Sequence, residues 1–207
     1  MKLAFEHLNL WRNPFGELPP EEWRQLAVVD VERFLERLAR PGQVVEFLGL
    51  SGRGKTTHLR ALWGHFPQAP FLSVAEEAED LLFRPDSELL FIDEAQFLTR
   101  SQQRALFQSH RSYVVGTHRR LKRTYRRAGL AFETMEVGGI DPDALDEMIR
   151  RRIEASRRRP GPVPTVAPPV LEALIEDHGD NLRALEHHLY EVFQRLPEIK
   201  PIDLDLL

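Results

Sequence analysis

The sequence predicts an α/β fold that is followed by a helical segment. Five short apolar runs alternate with amphipathic or polar stretches as far as residue 137, as expected of strands that are buried in a parallel sheet and separated by helices. From residue 138 onward, helical spacing replaces these runs. With 207 residues, of which 42% are hydrophobic, the chain can bury a sizeable core. It contains no cysteine, so disulfides and thiol chemistry are excluded.

The first 40 residues are predicted to form a loop and one or two helices that lie on the α/β core. Asn13-Pro14-Phe15-Gly16 is a turn signal, and Leu26 to Leu38 has helical apolar spacing. Glu6 and His7 interrupt the apolar run that a signal peptide would need, and no later run approaches the roughly 18 apolar residues of a membrane span. We therefore expect a cytoplasmic protein with no membrane span.

The run from Val44 to Leu48 is predicted to be the first strand, and it leads into G-x-x-x-x-G-K-[ST] at Gly49 to Thr56. In this motif, the glycines let backbone N–H groups curl around phosphate oxygens, and the following helix presents its positive N-terminal end. Lys55 is placed to reach the β- and γ-phosphates, and the Thr56 hydroxyl is placed to ligate Mg²⁺. The predicted nucleotide-contacting residues are Gly49, Ser51, Gly52, Arg53, Gly54, Lys55, Thr56 and Thr57.

Two further strands are predicted after a helix over Thr56 to Trp63. They are Phe71 to Val74 and Leu89 to Ile92, and the acidic span between them, Glu76 to Phe83, can form a short helix. A helix over Gln102 to Gln108 is expected next, with a hydroxyl at position 99 or 101 as its cap.

The second of these strands ends in two carboxylates, Asp93 and Glu94, which is a Walker B pattern. Because parallel sheets hold ligands at the C-terminal edge of their strands, both side chains are expected beside the phosphate-binding loop. Asp93 is predicted to hold the water shell of Mg²⁺, and Glu94 is predicted to act as the general base on the attacking water.

The last two predicted strands, Tyr113 to Gly116 and Phe132 to Val137, lie on either side of a basic helix over Arg119 to Arg127. Thr117 follows the first of these strands, and a polar side chain there can touch the γ-phosphate or the attacking water. His118 can do the same, or it can be an ordinary surface or hydrogen-bonded histidine.

The segment from Gly138 to Leu207 is predicted to be helical throughout. Asp141 is expected to cap its first helix, and Asp180 or Asn181 to cap its last. The proline-rich stretch from Pro160 to Pro169 contains two valines and is followed by a third, Val170, which indicates an ordered connection rather than a flexible linker.

The net charge of −4 hides a segregated distribution of charges. His110 to Phe132 contain seven bases and no acid, and Arg150 to Arg159 contain six arginines and one glutamate. Such patches can follow the phosphate backbone of DNA in a sequence-tolerant, salt-sensitive way. Non-specific DNA binding through Arg119–Arg127 and Arg150–Arg159 is therefore one expectation, and an arginine-rich solvated surface or subunit interface is the alternative.

Together, these motifs resemble those of the AAA+ ATPases. The phosphate-binding loop, the two carboxylates, Thr117 and the Gly179-x-Asn181-x-Arg183 turn occur in the order of that family. The Asn-Pro-Phe near the start and the Val-Gly-Thr-His-Arg-Arg-Leu element look most like the branch that contains secretion-associated and transposition-regulator ATPases.

The resemblance implies a P-loop NTPase fold, α/β, with a five-stranded parallel sheet flanked by helices and a small C-terminal helical lid. The ATPase core would be residues 1–137, with residues 1–40 packed on it, and the lid would be residues 138–207. The implied function is Mg²⁺-dependent ATP binding and hydrolysis by a switch ATPase, with ATP and Mg²⁺ as cofactors and a homo-oligomer as the working form.

The resemblance also implies two arginines that act on the nucleotide. Arg183 would be the sensor arginine of the lid. An arginine before the final strand would reach into the ATP site of a neighbouring subunit, and of Arg123, Arg126 and Arg127 we prefer the last two. In similar ATPases, the loop before the first strand lies against adenine, so Asn13 to Phe15 are expected either to contact the base or to form a packed turn.

Three other functions are alternatives to ATP hydrolysis by a switch ATPase. A P-loop small-molecule kinase would use the same phosphate cradle, but the Asp-Glu pair favours activation of water. A GTPase is disfavoured because the chain contains no Asn-Lys-x-Asp motif. A nucleotide-gated scaffold with little hydrolysis stays open, although the presence of Glu94 argues against it.

Overall fold

The computed structural model describes residues 4–19, 22–74, 87–108 and 110–207. Its contacts divide the chain into two units. One is Val29–Gly138, and the other combines Met1–Val28 with Gly139–Leu207. The short helix expected over Glu76 to Phe83 lies outside the described residues.

The first unit is built on a five-stranded sheet. Its strands are β1 (Gln43–Leu48), β2 (Phe71–Ser73), β3 (Leu89–Asp93), β4 (Ser112–Thr117) and β5 (Ala131–Glu136). Every neighbouring pair is parallel, and the order across the sheet is β2-β3-β4-β1-β5. The predicted five-stranded parallel sheet is therefore confirmed, and each strand lies within one residue of its predicted bounds.

Burial explains why these runs could be located from sequence. Val44, Leu90, Ile92 and Val115 are completely buried in the apolar core of this unit. A parallel sheet that is covered on both faces needs nearly continuous apolar strands, and the sequence supplies them.

The α-helices of the described residues are α1 (Trp23–Leu26), α2 (Leu35–Leu38), α3 (Lys55–Trp63), α4 (Arg100–Leu106), α5 (Lys122–Arg127), α6 (Pro142–Ser156), α7 (Pro168–His178) and α8 (Leu182–Arg195). Thr99 is the cap of α4: its hydroxyl accepts from the Gln102 N–H at 3.2 Å, and the Gln102 side chain accepts from the Thr99 N–H at 2.7 Å. This reciprocal pair decides between the two predicted caps. No helix of the described residues is both long enough and apolar enough to cross a bilayer.

The N-terminal segment packs in the second unit. Leu10 forms an antiparallel bridge with Arg157, and the Trp11 N–H donates to the Ser156 carbonyl at 2.8 Å. Leu8, Leu10 and Phe15 share one apolar core with residues of α6, α7 and α8. The observed division therefore differs from the expected one, in which residues 1–40 lay on the ATPase core, because these backbone and apolar contacts join residues up to Val28 to the helical unit.

The second unit is not helical throughout, which corrects the sequence-based expectation. Thr165–Val166 pairs in parallel with Pro201–Ile202, forming a small sheet of strands β6 and β7. Prolines before and inside this segment cannot continue a helix, and they favour extended backbone. Ile202 is completely buried, so the pairing anchors the end of the described chain in the apolar core.

Candidate nucleotide-binding site

The loop between β1 and α3 has the backbone that a phosphate cradle requires. Gly52 and Gly54 have φ angles of 81° and 88°, a left-handed conformation that glycine adopts without a steric penalty. Gly49 is required for a different reason, since a Cβ at that position would lie 2.3 Å from the Val137 carbonyl oxygen. The Gly49 N–H donates to the Thr117 carbonyl at 3.2 Å, which ties the loop to the end of β4.

Lys55 begins α3 and lies over this loop. Its side chain is 6% exposed, and Nζ donates to the Leu50 carbonyl at 2.7 Å. One turn later, the Nδ1–H of His58 donates to the Gly54 carbonyl at 2.9 Å. Burial lowers the pKa of His58, which keeps the imidazole neutral behind the loop. Ser51, Arg53 and Thr57 lie on the loop and the first turn of α3, where each is exposed or half-buried.

The predicted magnesium ligands are in direct contact. Thr56 Oγ1 donates to Asp93 Oδ2 at 2.7 Å, although the two residues are 37 positions apart in the sequence. Asp93 is 5% exposed, and its Oδ1 accepts from the Glu94 N–H at 3.0 Å. A hydroxyl and a carboxylate are the hard oxygen donors that Mg²⁺ prefers, so this pair fits the ion.

No group of three histidine, cysteine or acidic side chains that could hold a metal occurs among the described residues. The described residues supply two oxygen ligands for the ion, from Thr56 and Asp93. This fits Mg²⁺ as it is usually bound beside a nucleotide, with one or two protein oxygens, several waters and phosphate oxygens.

Gly116 makes the contact between Thr56 and Asp93 possible. Strand β4 lies between β1 and β3, so Asp93 must extend over β4 to approach α3. A Cβ at Gly116 would lie 2.6 Å from Asp93 Oδ1 and 2.9 Å from Leu59 Cδ1. This role could not be predicted from sequence, because a glycine at the end of a strand does not indicate which side chain will cover it.

Glu94 follows Asp93 in a strained backbone conformation. Its φ of 57° and ψ of 37° are left-handed, which is uncommon for a residue other than glycine, asparagine or aspartate. Such strain concentrates at functional sites, where the surrounding structure holds it in place. The conformation turns the chain sharply at the end of β3, and the Glu94 side chain stays half-buried beside the loop.

The two polar residues at the end of β4 differ in what their side chains do. Thr117 is completely buried, and its hydroxyl donates to the Arg119 carbonyl at 3.0 Å and accepts from the Arg119 N–H at 3.1 Å. The hydroxyl is thus used within a local turn. His118 is half-buried, and its backbone N–H donates to Gln96 Oε1 at 3.2 Å.

Electrostatics places His118 near the predicted site. Burial and then the positive charge of Lys55 lower the pKa of His118, whereas Glu94 and Asp93 act in the opposite direction. The phosphate-sensing roles predicted for Thr117 and His118 stay predictions, with the Thr117 hydroxyl already bonded within its own turn. Gln96 was missed by the sequence analysis: its Nε2 is buried with no hydrogen-bond partner among the described residues, and such an orphan donor calls for an explanation.

Other predicted site residues lie away from this cluster or in the second unit. Arg126 and Arg127 end α5, where the Arg126 guanidinium lies 5.8 Å from the centre of the Phe132 ring. Arg183 is exposed in the first turn of α8, and Asn181 caps that helix by accepting from the Ala184 N–H at 3.2 Å. The roles predicted for these three arginines stay predictions.

The Asn-Pro-Phe turn is packed within the second unit. Asn13 Nδ2 donates to the Tyr190 carbonyl at 2.9 Å, and its Oδ1 accepts from the Phe15 N–H at 3.0 Å. Phe15 is 6% exposed, and its ring centre lies 5.3 Å from that of Phe193. These contacts favour the packed turn over the adenine contact.

The two basic stretches also differ. Most arginines of the second stretch are neutralised by neighbours: Arg150 pairs with Asp146 and Glu147, Arg151 with Glu147, Arg152 with Glu186, Arg157 with Glu154, and Arg158 with Glu6. In the first stretch, Arg120 pairs with Glu136. The other bases from Arg119 to Arg127 form no ion pair within the part of the chain that the structure describes. Arg150–Arg159 is consequently a poor surface for phosphates.

No protein-family model and no curated protein sequence matches this chain. Solved structures do match it. The Thermotoga maritima RuvB Holliday junction branch migration motor superposes with a TM-score of 0.59 at 17% identity, covering 89% of this chain and 70% of that one. The replication initiator DnaA bound to AMPPCP and single-stranded DNA gives 0.60 at 17% identity, covering 86% and 66%.

A third similar structure is NtrX from Brucella abortus in complex with ADP, with a TM-score of 0.53 at 18% identity. It covers 94% of this chain, which spans only 55% of the NtrX chain. At these identities the similarity shows the fold, an α/β P-loop NTPase fold with a parallel five-stranded sheet flanked by helices.

Proposed function

We propose that this chain is a Mg²⁺-dependent ATPase of the AAA+ type that works as a nucleotide-controlled switch. The observation that carries the proposal is the contact of Thr56 with Asp93 at 2.7 Å, between a glycine-rich phosphate cradle and a strained Glu94. The similar structures support it, since two of them carry ADP or AMPPCP.

In the proposed reaction, the loop amides and Lys55 bind the β- and γ-phosphates. Thr56 and Asp93 would hold Mg²⁺, which when bound neutralises charge on the phosphate oxygens. Glu94 accepts a proton from a water whose oxygen bonds to the γ-phosphorus, while the bond from that phosphorus to the β–γ bridging oxygen breaks and ADP leaves. His118 orients the water or the γ-phosphate.

Lys55→Ala and Glu94→Gln separate binding from chemistry. Lys55→Ala should lose ATP binding, because it removes the ammonium that the phosphates need. Glu94→Gln should keep ATP affinity and lose about 10²- to 10⁴-fold in turnover, the usual contribution of a general base. Binding is measured by titration with a fluorescent ATP analogue and turnover by phosphate release. Lys200→Ala and Glu88→Gln, which make the same chemical changes elsewhere, serve as controls.

Wild-type turnover by Glu94→Gln would contradict the assigned base. If the wild type binds ATP but does not hydrolyse it faster than Glu94→Gln does, a nucleotide-gated scaffold becomes the better description.

We further propose that the working form is an ATP-driven homo-oligomer that associates with nucleic acid. An arginine of α5, Arg126 or Arg127, would complete the ATP site of a neighbouring subunit, and Arg183 would act as a sensor of the nucleotide. The named partners of two similar proteins support nucleic acid as the partner class: a Holliday junction for RuvB and single-stranded DNA for DnaA. Gel filtration with and without a non-hydrolysable ATP analogue and DNA tests both statements.

A further inference from the structure

A groove of about 530 Å³ lies between α4 and α5, and none of its described lining residues belongs to the nucleotide-binding loop. Four arginines line it, and we call it the four-arginine groove. Its lining residues are Arg100, Gln103, Arg104, Phe107, Arg123, Thr124, Arg127 and Ala128. None of these described lining residues is acidic, and four of them carry a positive charge.

The arginines form two short rows. Arg100 and Arg104 are four residues apart on α4, and Arg123 and Arg127 are four residues apart on α5. At about 1.5 Å of rise per residue, the members of each row are about 6 Å apart along the helix axis and share one helix face. All four side chains are exposed, and none forms an ion pair within the described ranges.

The polar side chains at the floor of the groove already have hydrogen-bond partners. Thr124 Oγ1 donates to Gln103 Oε1 at 3.0 Å, which joins the two helices, and Gln103 Nε2 donates to the Leu98 carbonyl at 3.0 Å. Phe107 is 3% exposed and packs against two tyrosine rings. Among the described residues, the four guanidinium groups are therefore the polar side-chain groups of this groove that form no hydrogen bond or ion pair.

These features indicate what kind of ligand fits. A protein partner usually contributes an aromatic or aliphatic anchor to a desolvated apolar pocket. The described lining of this groove offers no such pocket, because its one aromatic side chain, Phe107, is buried. Guanidinium groups match phosphate through paired N–H donors, and contacts of this kind hold a nucleic acid without reading its bases.

We propose that the four-arginine groove binds the phosphate backbone of a nucleic-acid strand. The inference rests on the proposed function only for the class of partner, not for ATP hydrolysis. This surface differs from the DNA-binding surface that was predicted from sequence. It leaves out Arg150–Arg159, whose charges are mostly paired, and it adds two arginines of α4, Arg100 and Arg104. Binding through the groove is sequence-tolerant and depends strongly on salt.

The test measures binding of a fluorescent 20-nucleotide single strand, and of the corresponding duplex, by anisotropy between 50 and 200 mM salt with a non-hydrolysable ATP analogue present. The double variant Arg100→Ala/Arg104→Ala removes one row. Each lost phosphate contact on a single strand lowers the salt slope by about 0.7, so the slope should fall by about 1.4 and the affinity at 0.1 M salt by roughly 25-fold.

The matched control is Arg40→Ala/Arg159→Ala, which removes two exposed arginines without an ion pair among the described residues. It should change affinity by less than threefold. Equal losses in both double variants would overturn the inference, since they would indicate only the overall charge. Absence of wild-type binding at 50 mM salt would also overturn it, as would binding of polyglutamate in preference to both oligonucleotides.

Three further measurements keep the result independent of folding and of ATP hydrolysis. The thermal midpoint of each variant is measured, and Arg100→Lys/Arg104→Lys should recover most of the affinity because it restores the charge. ATP turnover of the wild type without nucleic acid tests the proposed ATPase separately. If the wild type binds the strand but does not hydrolyse ATP, the proposed role of the groove is retained and the proposed ATPase activity is refuted.

Discussion

Adding one methyl group at Gly116 should uncouple Asp93 from Thr56. In Gly116→Ala, the new Cβ would lie 2.6 Å from Asp93 Oδ1, whereas ordinary contacts begin at 3.4 Å. One of the two groups must therefore move by about 0.8 Å. Strand β4 is hydrogen-bonded to a neighbour on each side, so the Asp93 side chain is the part that can move.

The displacement has a cost in both catalysis and stability. A shift of about 1 Å in a positioning group can cost about 10²-fold in rate, so turnover should fall by about that factor. Overpacking in a core should lower the free energy of unfolding by about 1–3 kcal/mol. ATP binding without Mg²⁺ should change little, because the loop backbone and Lys55 are untouched, and the Mg²⁺ concentration for half-maximal turnover should rise.

The assay is steady-state phosphate release over a Mg²⁺ titration, with urea unfolding for stability. Val114→Ile is the control, because it adds one carbon to a completely buried residue on the same face of β4, two positions from Gly116. It should lose stability but keep its Mg²⁺ dependence. Wild-type turnover and Mg²⁺ dependence in Gly116→Ala would refute the reasoning, and equal catalytic losses in both variants would attribute them to general overpacking.

Tyr125→Phe should lower the free energy of unfolding by about 1.5–3 kcal/mol, because the buried Glu46 carboxyl accepts from the phenol at 3.0 Å. Tyr113→Phe loses two neutral bonds, one donated to the Leu106 carbonyl at 2.6 Å and one accepted from the Gln108 N–H at 2.9 Å, and should cost about 1 kcal/mol per bond. Urea unfolding measures both, and a cost of Tyr125→Phe no larger than that of one neutral bond would contradict a special role for the carboxyl. One of the two substitutions Arg126→Ala and Arg127→Ala should abolish turnover but not ATP binding. Mixing the inactive variant with Glu94→Gln should restore partial turnover. Specific activity that is independent of concentration, with no recovery in any mixture, would indicate a monomeric enzyme.

The positions of the strands and the phosphate-binding loop could be predicted from sequence alone. A buried parallel strand needs a nearly continuous apolar run, and left-handed turns such as those at Gly52 and Gly54 need glycine, so both leave local signals. The carboxylates at Asp93 and Glu94 were identified for the same reason, because they directly follow such a run. The sequence predicts a hydroxyl at position 99 or 101 as the cap of α4. The reciprocal hydrogen bonds between Thr99 and Gln102 in the structure identify Thr99 as that cap.

Contacts between distant segments could not be predicted. Glu46 interrupts an apolar strand, and its donors, the Leu121 N–H, the Tyr125 phenol and the Thr134 hydroxyl, come from 75 to 88 residues away. The local pattern cannot indicate that such a carboxyl is buried, since its burial depends on partners supplied by other elements.

By itself, the sequence determined which residues form the strands, the phosphate-binding loop and the acidic pair, because each of these depends on neighbours a few positions away. Only the tertiary structure decided that β4 lies between β1 and β3 and that Asp93 therefore crosses Gly116 to meet Thr56. It also decided which arginines are neutralised and which, like those of the four-arginine groove, are not. Pairing and strand order arise when segments far apart in the chain are packed together, and the periodicity of one segment carries no information about its distant partners.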